Sequence, residues 1–165
     1  MKNGLAPICD KNSKILILGS LPSEQSIKKQ EYYGNPTNQF WKILSAVLEG
    51  KALIFKDYEE KKNFLIKHHI ALWDVIKCAQ RKGSLDVNIK NETYNDLKTF
   101  VTKHDIKHIF VNGNKAKTAL EKYLKENNIT NVKFSYLTSS SSANAKYSLE
   151  DKINMWKIIS MIYSV

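Results

Sequence analysis

Four short runs constrain this chain more than any other feature: KILILG at 14–19, IALWDVIKCA at 70–79, IKHIFVNG at 106–113 and VKFSYLT at 132–138. The first three are mostly apolar at successive positions, with no polar–apolar alternation. A strand of that kind must be covered on both faces, which is the situation of a parallel sheet between layers of helices. Helical patterns lie between the runs. Residues 38–48 set Phe40, Ile43, Leu44, Val47 and Leu48 at helical spacing, and 56–68 form a more polar helix. Residues 94–104 place Leu97 and Val101 on one face, and 115–125 make a further helix. Ser148, with Asp151 three residues on, opens a last helix whose apolar side is Met155, Trp156, Ile159, Met161 and Ile162. The alternation predicts an α/β three-layer sandwich: a four-stranded, mainly parallel sheet flanked by helices, as a single domain over residues 1–165.

The chain of 165 residues is long enough to bury a core of its own. With 42% apolar and 25% charged residues it is neither disordered nor fibrous. No apolar run approaches the length of a membrane span, and the first residues lack the apolar stretch of a signal peptide. Cys9 and Cys78 are far apart in sequence and form no CxxC, which fits two free thiols in a reducing cytoplasm. His104 and His108 are the one helix-compatible histidine pair, with no acidic or cysteine partner in step, so no metal site is expected. The net charge of +10 points to a polyanionic partner, nucleic acid first. All but one of the 26 cations are lysines, Arg81 being the exception, and that bias also fits an AT-rich genome.

In parallel α/β folds the ligand sits beyond the carboxyl ends of the strands. That rule directs attention to residues 19–36, 79–89, 112–115 and 138–146. The first has neither GxxxxGK[ST] nor GxGxxG, so it is no NTPase or dinucleotide loop. Its Tyr32 and Tyr33 either pack over the core edge or offer a ring on which a base stacks. Asn112 ends the third run; its amide either ties down loop backbone or reads a ligand edge with a donor and an acceptor side by side. The hydroxyl-rich 138–146 either caps the next helix or contacts phosphate and groove through hydroxyls and backbone N–H groups.

Together, GSLPS at 19–23, YYGNPTNQFW at 32–41, LWDVIKCAQRKGSLD at 72–86, VNGNKA at 111–116 and SSSSAN at 139–144 resemble the DNA-deoxyinosine (hypoxanthine-DNA) glycosylase family of the uracil-DNA glycosylase superfamily. The resemblance runs from Leu5 to the last helix, and 32–41 is its most specific stretch. It implies excision of deaminated bases from double- or single-stranded DNA by a monomer, without cofactor or metal, in a prokaryotic cytoplasm at the nucleoid. By the same resemblance Asn38, in the P-x-N-x-F-W stretch, is the catalytic amide that holds the attacking water through its carbonyl. Asn112, Tyr33 and Ser20 bind the base, Tyr33 as the stacking ring. Ser139, Ser140, Ser141, Asn144, Lys146, Arg81 and Lys82 contact DNA. Asp86 orients a water or holds its loop, and Asp74 is the other acid near the site. Two positions depart from relatives: Ser20 stands where the mismatch-specific branch has a water-holding asparagine, and Ser142 where the last loop often has proline. The reaction expected is base flipping followed by hydrolysis of the N-glycosidic bond, hypoxanthine preferred. A uracil- or mismatch-specific glycosylase and a catalytically inactive DNA-binding domain are the alternatives.

Overall fold

The computed structural model describes residues 1–163. A parallel sheet holds the centre. Its strands are β2 (Ile15–Gly19), β3 (Ile70–Asp74), β6 (His108–Asn112) and β7 (Lys133–Leu137), in the order β3-β2-β6-β7. The adjacent pairs are parallel, with Gly19 opposite Asp74 and Asn112 opposite Leu137 at the carboxyl ends.

Side chains alternate across β2 and feed two separate cores. Leu16 and Leu18 pack with Ala71, Ile109 and Val111 against α4 (Leu97–Lys103) and α5 (Asn114–Glu126). Ile15 and Ile17 pack with Ile70, Leu72 and Phe110 against α2 (Phe40–Glu49), α3 (Tyr58–Lys67) and α6 (Leu149–Trp156). Burial on both faces explains why the runs show no polar alternation, and the expected three-layer sandwich is the fold.

Several local expectations fail. The run 70–79 is not one strand. After Asp74 the chain leaves the parallel sheet, and Val75 and Ile76 donate their N–H groups to the carbonyls of Gly19 and Ser20. Residues Ile76–Gln80 then form β4 in a small antiparallel sheet, between β1 (Lys2–Asn3) and β5 (Lys90–Tyr94). Residues 80–92 therefore hold a strand, and a single 3-10 turn at Asp86–Asn88, where only loop was expected. The loop 19–36 contains a short helix, α1 (Glu24–Lys29), capped by Ser23. The last helix divides into α6 and α7 (Ile158–Tyr163); Trp156 and Ile159 are fully buried, but Met155 and Met161 face outward. The Ser148–Asp151 start is a full capping box, with both reciprocal bonds present. His104 ends α4 while His108 begins β6, so the pair never shares a helix face.

Candidate active site

One cleft of about 940 Å3 opens at the carboxyl edge of the parallel sheet. All four loops singled out by the strand-end rule contribute to it: residues from Gly19 to Asn38, Ser84 to Val87, Asn112 to Lys117, and Leu137 to Tyr147.

One wall is a chain of hydrogen bonds. Asn112, at the end of β6, donates both Nδ2 hydrogens, one to the Tyr33 hydroxyl at 3.0 Å and one to Ser140 Oγ at 2.9 Å. Ser140 Oγ donates in turn to Asn38 Oδ1 at 2.9 Å. The Ser140 N–H donates to Asn112 Oδ1 at 3.0 Å, and the Ser140 carbonyl accepts from the Gln39 N–H. Asn38 Oδ1 also accepts from the Phe40 N–H at 2.9 Å, which places the amide just ahead of the first turn of α2. A helix start leaves its first N–H groups without partners, so the asparagine has a local reason to sit there.

This wiring changes three expected roles. Asn38 Oδ1 already takes two donors, so the carbonyl expected to hold the water is engaged within the protein. The donor half of the Asn112 amide is spent inside the protein, so the expected two-bond pairing with a base edge lacks its donor. Ser140 is 1% exposed and every polar atom it has is engaged, so it links the two asparagines and cannot reach a groove. Asn144 is likewise turned inward: its Nδ2 closes the loop onto Thr138 Oγ1 and the Ser139 carbonyl.

Tyr33 and Tyr32 divide the two readings of the tyrosine pair. Tyr32 is core: its hydroxyl bonds the carbonyls of Leu5 and Ala6, and it is 3% exposed. Tyr33 lines the cleft with a backbone φ of +51°, a region that bulky residues enter at a cost. Two contacts hold it there, a ring stack on Phe40 at 4.0 Å and the bond from Asn112.

The opposite wall is charged. Asp74 ends β3 and Ser20 follows β2; Ser20 Oγ donates to Asp86 Oδ1 at 2.8 Å. Asp86 also lies 3.8 Å from the Arg81 guanidinium. Arg81 was expected on phosphate, but its side chain is 1% exposed and its hydrogens go to the carbonyls of Leu21 and Pro22. It braces the loop after β2 from behind and cannot touch a phosphate. Lys82 is exposed but outside the cleft lining. Asp74 is 4% exposed, its Oδ2 has no partner, and burial followed by the nearby Asp86 charge pushes its carboxyl up to about 7. Asp86, half exposed, is raised by partial desolvation, which its bond from Ser20 and the nearby Arg81 and Lys115 charges oppose.

The serine loop between the walls rests on a buried cation. Lys152, from α6, is 1% exposed and donates to Gln39 Oε1 at 2.8 Å and the Ser141 carbonyl at 3.1 Å. Burial lowers its pKa. Ser142 and Lys146 are exposed on the cleft side, while Ser139 and Ser141 are half-buried and each accepts an N–H from within the loop. Lys115, Lys117, Tyr147 and Met155 also line the cleft and were not singled out. Lys115 falls within the stretch 112–115 but was not picked out, and the helical pattern hid Lys117; both lie within the first turn of α5. No group of three or more metal-ligating side chains occurs among the described residues, and no helix there is long and apolar enough to cross a membrane.

A parallel α/β sheet whose carboxyl-end cleft is built from asparagines, serines and a stacked tyrosine is the architecture of a uracil-DNA-glycosylase-like protein. Comparison with known proteins agrees. The sequence profile of the Uracil DNA glycosylase superfamily matches residues 6–160, and this chain belongs to that superfamily. A hypoxanthine DNA glycosylase of Methanosarcina acetivorans is 40% identical over 162 residues, covering 96% of this chain and 98% of that one. A hypoxanthine DNA glycosylase of Methanosarcina barkeri is 39% identical over 116 residues, 70% of this chain and 73% of the relative. A solution NMR structure from Methanosarcina acetivorans, of a protein described as a candidate uracil DNA glycosylase, superposes with a TM-score of 0.82 at 36% identity over 99% of both chains.

Proposed function

We propose that this protein is a monofunctional DNA glycosylase that flips a deaminated base, hypoxanthine first, out of DNA and hydrolyses its N-glycosidic bond. The observation that carries the reading is the Asn38–Ser140–Asn112–Tyr33 chain, set at the sheet edge of a superfamily member whose relatives are named for hypoxanthine. A base within a duplex is out of reach, so the nucleotide must enter the cleft. Asn38 is the catalytic group. Its Nδ2 holds a water by donating to the water oxygen, which leaves a lone pair free to attack C1′ as positive charge develops on the sugar. An amide is no base, but positioning a water at an oxocarbenium-like centre supplies a large part of such a barrier, up to about 7–11 kcal/mol in favourable cases. Asn112, through Ser140, fixes the Asn38 orientation. Tyr33 offers its ring to the base beside Phe40, and Ser20 bounds the base on the other wall. Lys146, Ser139, Ser141, Lys82 and the exposed Ser142 are the contacts proposed for the DNA backbone. We place the protein in the cytoplasm at the nucleoid, working as a monomer.

Uracil shares the N–H/C=O edge of hypoxanthine, and the solved neighbour is described as a candidate uracil DNA glycosylase, so uracil is the second substrate to test. The test uses the pure protein in EDTA with labelled duplexes carrying inosine, uracil or xanthine, treated with or without alkali. Strand cleavage only after alkali, fastest with inosine, is the expected result. Cleavage without alkali, or none with any lesion, overturns the proposal.

A further inference from the structure

We propose that Asp74, at the floor of the cleft, is the proton donor to the departing base, its carboxylic acid passing a proton to a ring nitrogen of a purine as the glycosidic bond breaks. The inference rests on the glycosylase reading above and deepens it.

Position comes first. Asp74 is the last residue of β3 and sits in register with Gly19, the last of β2, so both end at the edge where the cleft begins. Glycine is needed there. A Cβ at position 19 would fall 2.6 Å from Asp74 Oδ1 and 2.9 Å from the Tyr33 hydroxyl. The acid and the ring that faces the base are thus drawn together over a residue that has no side chain.

Partnership comes second. Buried polar atoms are nearly always hydrogen-bonded, and one without a partner calls for an explanation. Asp74 Oδ2 has none. The charged and titratable groups around it are Asp86 and Arg81 from the loop after β4, and Tyr32 and Tyr33 from the loop before α2. Arg81 is committed to two carbonyls and to Asp86. Asp86 is committed to Ser20. Of the two acids lining the cleft, Asp74 alone is uncommitted. Buried and beside a second carboxylate, it holds its proton to about pH 7.

The chemistry balances. As C1′–N9 breaks, its electron pair enters the purine ring, and the Asp74 proton moves to N7. Hypoxanthine then leaves as a neutral N7–H tautomer. The new carboxylate faces the cationic sugar. Water adds to C1′, its surplus proton goes to solvent, and Asp74 is reprotonated from solvent. Asn38 and Asn112 cannot do this, because an amide does not give up a proton at neutral pH.

The test is single-turnover release from inosine duplexes, for the wild type and Asp74→Asn, between about pH 5.5 and pH 9. The wild-type rate is expected to fall about tenfold per pH unit above about 7, and the variant to be about 100-fold slower with a flat profile. A second arm uses 7-deaza-2′-deoxyinosine, which has no N7 to accept the proton. Both proteins are expected to release that base at the same slow rate. This arm needs no variant to fold, since wild type on the two substrates already differs. Wild-type release of the 7-deaza base at the inosine rate, or an Asp74→Asn profile matching wild type within about threefold, overturns the inference while the glycosylase reading stands. A wild type that releases no purine overturns both.

Discussion

The two walls of the cleft are built on opposite terms. On one, Asn38, Ser140, Asn112 and Tyr33 satisfy one another in sequence, each donor meeting an acceptor at 2.9–3.0 Å. On the other, Asp74, Asp86 and Arg81 are crowded and incompletely satisfied, with Asp74 Oδ2 and Arg81 Nε both buried without partners. A satisfied polar network rigidifies, and an unsatisfied one stores a cost. The first wall holds an amide in one orientation, which suits the positioning of a water. The second keeps a carboxyl group away from its solution behaviour, which suits the transfer of a proton. On the roles proposed for Asn38 and Asp74, the chemistry would divide along the same line.

The largest effect is expected on the satisfied wall. Asn38→Ala removes the group proposed to hold the water, and base release should fall by about 100-fold or more while DNA binding survives. Single-turnover rates near wild type would break the assignment. Next comes Asn112→Asp. It removes both donated bonds, to Tyr33 and Ser140, and adds a charge to the cleft that holds Asp74. Each lost buried bond costs about 1–3 kcal/mol, so inosine release should drop at least about 30-fold. Undamaged DNA should still bind, because stacked bases never enter the cleft. Equal losses of damaged and undamaged binding with release unchanged would confine Asn112 to a structural role.

The unsatisfied wall should answer in stability. Below pH 3.8, the ordinary carboxyl value, folded and unfolded Asp74 both carry the proton. Between there and about 7 only the folded state holds it, and above about 7 the folded state bears a buried charge without a counter-charge of its own. Stability therefore declines as pH rises through this window. Asp74→Asn escapes that decline, although its amide remains poorly partnered. We expect it to be more stable than wild type by about 1–2 kcal/mol at pH 8, with the difference vanishing near pH 4. Thermal melts at the two pH values measure this; a variant that melts below wild type at pH 8 would contradict the unsatisfied wall. The smallest effect should come from Lys146→Ala, at the exposed rim. Removing one phosphate contact should flatten the log–log salt dependence of DNA binding by about 0.9 and leave the release rate alone. An unchanged slope would remove Lys146 from the interface.

Much of the fold was legible because the three unbroken apolar runs could only be strands covered on both faces. The side sheet was not, since Ile76–Gln80 continues the same run without a break and its partner Lys90–Tyr94 is polar. Sequence order carries no mark of the point where a chain changes sheets. Loop resemblance found the residues of the satisfied wall but not their wiring. The Ser140–Asn38 bond spans 102 residues and the Asn112–Tyr33 bond 79, so the commitment of the Asn38 carbonyl and of the Asn112 donors exists only in three dimensions. Arg81 shows the opposite failure. A lone arginine in a basic chain reads as a phosphate contact, and only burial shows that its two terminal nitrogens are turned onto the carbonyls of Leu21 and Pro22. Asp74 was noted as a nearby acid, and nothing in its sequence surroundings announces that one oxygen lacks a partner.

Lys152 bears on how a working enzyme comes into being during synthesis. The ribosome releases Asn38, Asp74, Asn112 and the serine loop before α6, so a nascent chain carries the walls of the cleft before it carries the post that steadies them. Until Lys152 emerges and docks, Gln39 Oε1 and the Ser141 carbonyl lack the ammonium that joins them. The serine loop thus has its full set of hydrogen bonds only once the helix that carries Lys152 has docked.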